Sequence, residues 1–127
     1  MSRSDLLLDT HVALWWLDED PSLLRRARPL IESADRVYVS TASLWEIAIK
    51  VSIGKLKVPD GLPQMFVDSG FEMLAISADH SWEVRRLDLY HSDPFDRLLV
   101  AQANCEGLKL ITADRKLTAY GPSVLCI

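Results

Sequence analysis

The chain has 127 residues, 49% of them hydrophobic and 25% charged, with a formal net charge of −4. This composition suits one globular domain over residues 1–127 and excludes a disordered chain. No apolar run approaches the roughly 20 residues of a membrane span, Leu6-Leu7-Leu8 is too short for a signal-peptide core, and Cys105 and Cys126 are too few for a disulfide framework, so a cytoplasmic protein is expected.

In chain order, Asp5–Asp9 reads as a short buried strand ending in an acid. Helical patterns follow at about 11–18 and 22–34, the second opened by Pro21-Ser22. Arg36–Val39 is a second strand, after which Ser40 or Thr41 caps an apolar helix from Ala42 to about Ile53, closed by Gly54. Leu62–Ser69 is helical and stops at Gly70; Glu72–Ile76 is a third strand; Ser77 caps a helix reaching about Leu87. Asp93 is a natural N-cap with Pro94 at the first helical position, and that helix runs to Glu106, where Gly107 ends it. Leu108–Ile111 is a fourth strand, Asp114 caps a short helical turn, and Ser123–Cys126 supplies a fifth strand. Short apolar strands alternating with amphipathic helices specify an α/β fold, a mostly parallel sheet of four to five strands covered by helices.

In such a sheet ligands bind outside the carboxyl ends of the strands, where the N-termini of the covering helices also point. Asp9 and Asp114 follow strands; Asp96 lies in the first turn of its helix, and Glu46 about a turn and a half into another. Each has an ordinary explanation as a turn residue, a dipole charge, an N-cap, or an i,i+4 partner of Lys50. The last is the weakest, because Ala42, Leu44, Trp45, Ile47, Ala48, Ile49 and Val51 leave that helix little polar face. Together the acids form a cluster whose members, if about 4 Å apart, repel by roughly 4 kcal/mol per pair at an effective dielectric of 20. Oxygen donors without thiolates or paired histidines select Mg²⁺ or Mn²⁺, one ion or two, and such a cation activates water and shields a phosphodiester. A bound cation would also weaken the objection that an acidic protein avoids nucleic acid.

Leu7-Leu8-Asp9-Thr10-His11, Ser43–Lys50 with Gly54-Lys55-Leu56, His91–Arg97 and Ile111–Asp114 together resemble the PIN-domain ribonucleases, and among them the VapC-type toxins of type II toxin–antitoxin pairs. The resemblance runs through nearly the whole chain, and Trp45-Glu46-Ile47 and Asp93-Pro94-Phe95-Asp96-Arg97 are its specific segments. It implies a PIN-like three-layer sandwich, Mg²⁺-dependent endonucleolytic cleavage of RNA, a homodimer, and a cognate antitoxin whose C-terminal segment blocks the site. By position Asp9, Glu46, Asp96 and Asp114 match the family's acidic quartet, with Asp9 and Asp96 as the direct metal ligands. Thr10, Ser40 and Thr112 fall where hydroxyls would orient carboxylates or water.

Arg97 has two readings of equal weight, steering a phosphate or pairing with an acid. His91 reads either as a substrate contact or, more commonly for a loop histidine, as incidental; His11 and His80 lack a metal or nucleophile pattern, and Cys105 reads as a small core residue. Trp15, Trp16 and Trp45 are expected in the core or at an interface rather than stacked on bases. A signalling receiver would need a second acid beside Asp9 and a Lys near the last strand; a haloacid-dehalogenase-type phosphatase would need an acid where His11 stands. A PIN-fold RNA-processing nuclease without an antitoxin and a non-catalytic binding module remain as alternatives.

Overall fold

Alternation along the central strand sets the layers. The computed structural model describes residues 5–127, apart from the side chains of residues 22–24, so the part played by Ser22 in opening its helix lies outside the described residues. Five strands, β1 (Asp5–Leu8), β2 (Arg36–Ser40), β3 (Glu72–Leu74), β4 (Lys109–Thr112) and β5 (Val124–Cys126), form one sheet in the order β3-β2-β1-β4-β5. All four pairings are parallel, with Leu7 facing Tyr38 on one side and Leu110 on the other. Leu6, Leu8, Val37, Val39 and Ile111 pack on one face under α1 (Thr10–Asp18), α2 (Pro21–Ser33) and α4 (Leu62–Asp68), which bring Val12, Ala27 and Phe66. Leu7 and Leu110 enter the opposite face with Leu99, Val100 and Ala103 of α6 (Pro94–Glu106). The α3 helix (Thr41–Ser52) contributes Ala42 to this second cluster and Ile47 to the first, so it serves both layers.

Side-chain caps start the helices where the strands stop. Asp9 Oδ1 accepts the Val12 N–H at 2.8 Å, Ser40 Oγ accepts the Ala42 N–H at 2.9 Å, and Asp93 Oδ1 accepts the Phe95 and Asp96 N–H groups at 2.8 and 3.2 Å. Gly107 closes α6 at φ 69°, a left-handed conformation that costs a glycine nothing sterically. The chain leaves β1 toward β2 on one side and reaches β4 on the other, so the carboxyl ends of β1 and β4 flank the place where strand order reverses.

The predicted elements are all present, with shifted ends. The third strand stops at Leu74, not Ile76, because the Ile76 N–H turns to Thr41 Oγ1 at 3.3 Å. The helix expected from Ser77 to Leu87 is α5 (Ala78–Glu83) followed by a 3₁₀ turn, Val84–Arg86. Arg97 Nη2 donates to the carbonyls of Val84 and Leu87 at 3.3 and 3.1 Å and so draws them away from a regular helix. Two expectations of burial are overturned. Trp45, Ile49, Val51 and Ile53 are exposed, since α3 turns only Ala42, Ser43, Glu46 and Ile47 fully inward. Cys105 is exposed too, lying near the end of α6 where Asn104 and Glu106 also face solvent. Trp15 and Trp16 are half-buried against the first cluster. Among the described residues no helix is long and apolar enough to cross a membrane.

Leu99 is fully buried on the inner face of α6, three residues beyond Asp96. Leu99→Ala is expected to lower the unfolding free energy by about 2–5 kcal/mol, the usual cost of a large-to-small change in a closed core. Urea denaturation followed by circular dichroism checks it.

Candidate functional site

Asp9 leaves β1 and becomes the N-cap of α1, its carboxylate turned back across the sheet edge. Its Oδ1 takes the Val12 N–H, and its Oδ2 accepts the Thr112 hydroxyl at 2.5 Å. Thr112 Oγ1 also accepts the Asp114 N–H at 3.0 Å, so one hydroxyl couples the acid after β1 to the acid after β4. Asp114 in turn accepts the Lys116 N–H at 3.0 Å and starts the 3₁₀ helix Arg115–Tyr120. Asp96 sits in the first turn of α6, and Asp9, Asp96 and Asp114 line one cleft of about 290 Å³ together with His11, Trp15 and Ala113.

Glu46 reaches this cluster from α3. It is only 6% exposed, and a carboxylate buried that far requires partners. Thr10 donates to Oε1 at 2.7 Å and Lys50 to Oε2 at 3.0 Å, while Thr10 Oγ1 also lies 2.9 Å from Ser43 Oγ. The i,i+4 pair with Lys50 therefore forms, but on a buried acid whose charge is still felt by Asp9 and Asp96.

The electrostatics follow from burial and like charge. Burial pushes the Asp9 carboxyl above its ordinary value, against the opposing hydrogen bonds of Thr112 and Val12. Asp96 is lifted to about 7, first by burial and then by the neighbouring charges of Asp93 and Asp9. Asp114 goes the other way: its slight burial works upward, but hydrogen bonds from His91 and the Lys116 N–H outweigh it and hold it low. Among the described residues neither Asp9 nor Asp96 forms a salt bridge with a lysine or arginine. Oxygen donors in a cleft that, among the described residues, no lysine or arginine lines fit a hard divalent cation.

The hydroxyl expectations divide. Thr10 and Thr112 hold the carboxylates of Glu46 and Asp9, whereas Ser40 Oγ is engaged as the α3 cap. Of the two readings of Arg97, pairing with an acid is not seen among the described residues: its Nη2 holds the Val84 and Leu87 carbonyls. Ser43 was not foreseen at the site, and His91 was expected there at most as a substrate contact. Ser43 lies one turn before Glu46, and its place beside Thr10 depends on how α1 and α3 cross, which no local pattern encodes. His91 stands 2.8 Å from Asp114 and 3.7 Å from Asp96 through Nε2, and those three residues present donor atoms all within 4.8 Å of one another. The one local signal was its position two residues ahead of the Asp93 cap, whose N–H its Nδ1 accepts at 3.1 Å.

The comparisons with known proteins agree with this fold. The family model described as "PIN domain" matches residues 6–121. Ribonuclease VapC22 of Mycobacterium tuberculosis is 29% identical over 118 residues, 91% of this chain and 91% of that protein. Among solved structures, VapBC2 from Rickettsia felis, bound to a DNA fragment from its promoter, superposes with a TM-score of 0.69 at 18% identity, covering 97% of both chains. A toxin–antitoxin complex from Klebsiella pneumoniae gives 0.67 at 19% identity, covering 94% of this chain and 95% of that one.

A raised carboxyl pKa has a definite sign in stability. Folding that raises the pKa of Asp96 to about 7, and that of Asp9 in the same direction, adds stability that is complete below the ordinary aspartate value and is lost as pH rises through 7. The lowered Asp114 acts only in acid and does not enter this window. The melting temperature of the chelator-treated protein should therefore fall between pH 5 and pH 8. Asp96→Asn should flatten the fall, and saturating Mg²⁺ should reduce it; differential scanning calorimetry at fixed ionic strength measures all three.

Proposed function

The chain belongs to the PIN-domain family, and from that premise we propose that it is a metal-dependent endoribonuclease, the toxin of a toxin–antitoxin pair, acting in the cytoplasm. The observation that carries the reading is the meeting of Asp9, Asp96 and Asp114 in one cleft at the reversal of strand order, with Glu46 beside them and no lysine or arginine paired to Asp9 or Asp96 among the described residues. The ribonuclease name of a relative matched along 91% of the chain supports the substrate class, and the toxin–antitoxin titles of the structural neighbours support a protein partner.

On this reading Asp9 and Asp96 hold Mg²⁺ or Mn²⁺ directly, with Asp114 and Glu46 completing the negative wall. The cation supplies an activated water at neutral pH and shields the phosphodiester charge during in-line attack. The protein's own work is to fix the acids beforehand. Val12 and Thr112 each hold one oxygen of Asp9, and Thr10 and Lys50 each hold one oxygen of Glu46. Carboxylates held this way do not reorganise when the scissile phosphate arrives, which is the basis of electrostatic catalysis. Hydrolysis of RNA to two shorter strands follows, with water as the nucleophile.

Two partners belong to the proposal. One is an antitoxin, by likeness to complexes in which such a partner is bound. The other is a second copy of the chain, for which the exposed Trp45, at 57%, packed edge-on against Phe95 with a ring separation of 5.0 Å, and the exposed Ile49 and Ile53 supply apolar surface.

Purified protein incubated with total RNA should cleave it in Mg²⁺ or Mn²⁺ and stop on chelation. Asp9→Asn and Asp96→Asn should each lower the rate at least about 100-fold, the upper end of what losing even an outer partner of a metal ligand costs. Equal rates in the wild type and both variants would sink the assignment. Cation binding without any cleavage would favour a binding module.

A further inference from the structure

His91 is a polar residue at the site that the proposed reaction does not use, yet it is fixed more fully than its loop position requires. Its backbone N–H donates to Tyr120 Oη at 3.2 Å, which straps the loop ahead of α6 to the 3₁₀ segment that follows Asp114. Tyr120 is itself steadied by Tyr90, edge-on at a ring separation of 5.2 Å. The imidazole is then held at both nitrogens. Nδ1 accepts the Asp93 N–H at 3.1 Å, so in the neutral ring the hydrogen belongs to Nε2. Nε2 lies 2.8 Å from Asp114 Oδ2 and 3.7 Å from Asp96 Oδ2.

We propose that His91 is a positioning residue that hangs Asp114 from the loop ahead of α6 and sets its distance from Asp96, rather than itself ligating the cation. The proposal rests on the cation site argued above. Two facts favour positioning over ligation. A ligating Nε2 must present a lone pair, which would move the ring hydrogen to Nδ1 and point it at the Asp93 N–H. And the two acids His91 faces arrive from different elements, Asp114 after β4 and Asp96 on α6, with no other side chain among the described residues bridging them. Without the imidazole, the Asp114 carboxylate keeps, among the described residues, the Lys116 N–H on Oδ1 and loses the hydrogen bond at Oδ2.

The test reads cation binding, not turnover. Isothermal titration of the chelator-treated protein with MgCl₂ and with MnCl₂ should show His91→Ala weakened about 10-fold or more for both ions alike, within the range known for outer partners of metal ligands. His91→Gln, which carries an N–H at nearly the reach of Nε2, should recover most of that loss. In the wild type, ¹⁵N–¹H correlation of the imidazole should show the Nε2 hydrogen retained at saturating Mg²⁺. Unchanged affinity in His91→Ala overturns the proposal while leaving the cation site standing. Loss of the Nε2 hydrogen on Mg²⁺ binding, or a loss confined to Mn²⁺ in both variants, overturns it in favour of a direct nitrogen ligand. A wild type that binds neither ion defeats the nuclease reading itself, and this inference with it. Should His91→Ala fail to fold, the wild-type imidazole spectrum decides between positioning and ligation.

Discussion

Everything at this site depends on the hydrogen bond from Thr112 to Asp9, which joins positions 103 residues apart across the ends of two neighbouring strands. The strands are already in register, with Leu8 against Ile111 and the Asp9 N–H on the Ile111 carbonyl at 3.0 Å, so the bond forms without distortion. It fixes one carboxylate oxygen facing the crevice and, through the Asp114 N–H on the same hydroxyl, decides where the chain goes after β4. Parallel pairing alone would bring the two acids near each other; the threonine gives them a defined relation.

That relation is electrostatically unfavourable in the protein by itself. A buried Asp9 and an Asp96 whose carboxyl is lifted to about 7 are groups that the fold holds against their preference for water and distance. The scaffold tolerates this because neighbouring elements are strongly held: fully buried Leu7, Leu8, Leu110 and Ile111 beneath the edge, and Leu99 and Val100 beneath α6. Stability is concentrated in the two apolar clusters, and the charge sits at the rim where they end. The division suits a site meant for a multivalent ion, whose binding relieves the same repulsion that empties or protonates the cleft.

Much of this was legible in the residues. β1, β2 and β4 are short apolar runs bounded by caps, so their places along the chain and their parallel direction follow from pattern, and the acids after β1 and β4 follow from direction, whereas the strand order in the sheet does not. Asp93-Pro94 marked the start of α6 correctly because capping is a local interaction of three residues. What failed was non-local. Whether an apolar helical residue is covered depends on what lies opposite, so the outer face of α3 looked buried and is not. Arg97 found backbone carbonyls ten and thirteen residues upstream, and His91 found an acid twenty-three residues downstream; neither leaves a periodic trace. Buried His80 was equally opaque, its ring completing the Ser77 capping box and reaching Glu106 of α6 at 2.8 Å.

Three of the acids serve their helices as well as the cleft or stand beside one that does: Asp9 starts α1, Asp114 starts the last 3₁₀ turn, and Asp93 starts the helix that presents Asp96. Asparagine caps a helix about as well as aspartate. An aspartate codon becomes an asparagine codon by a single base change. A single base change can therefore remove one carboxylate charge from the cleft while the helix start it caps is kept.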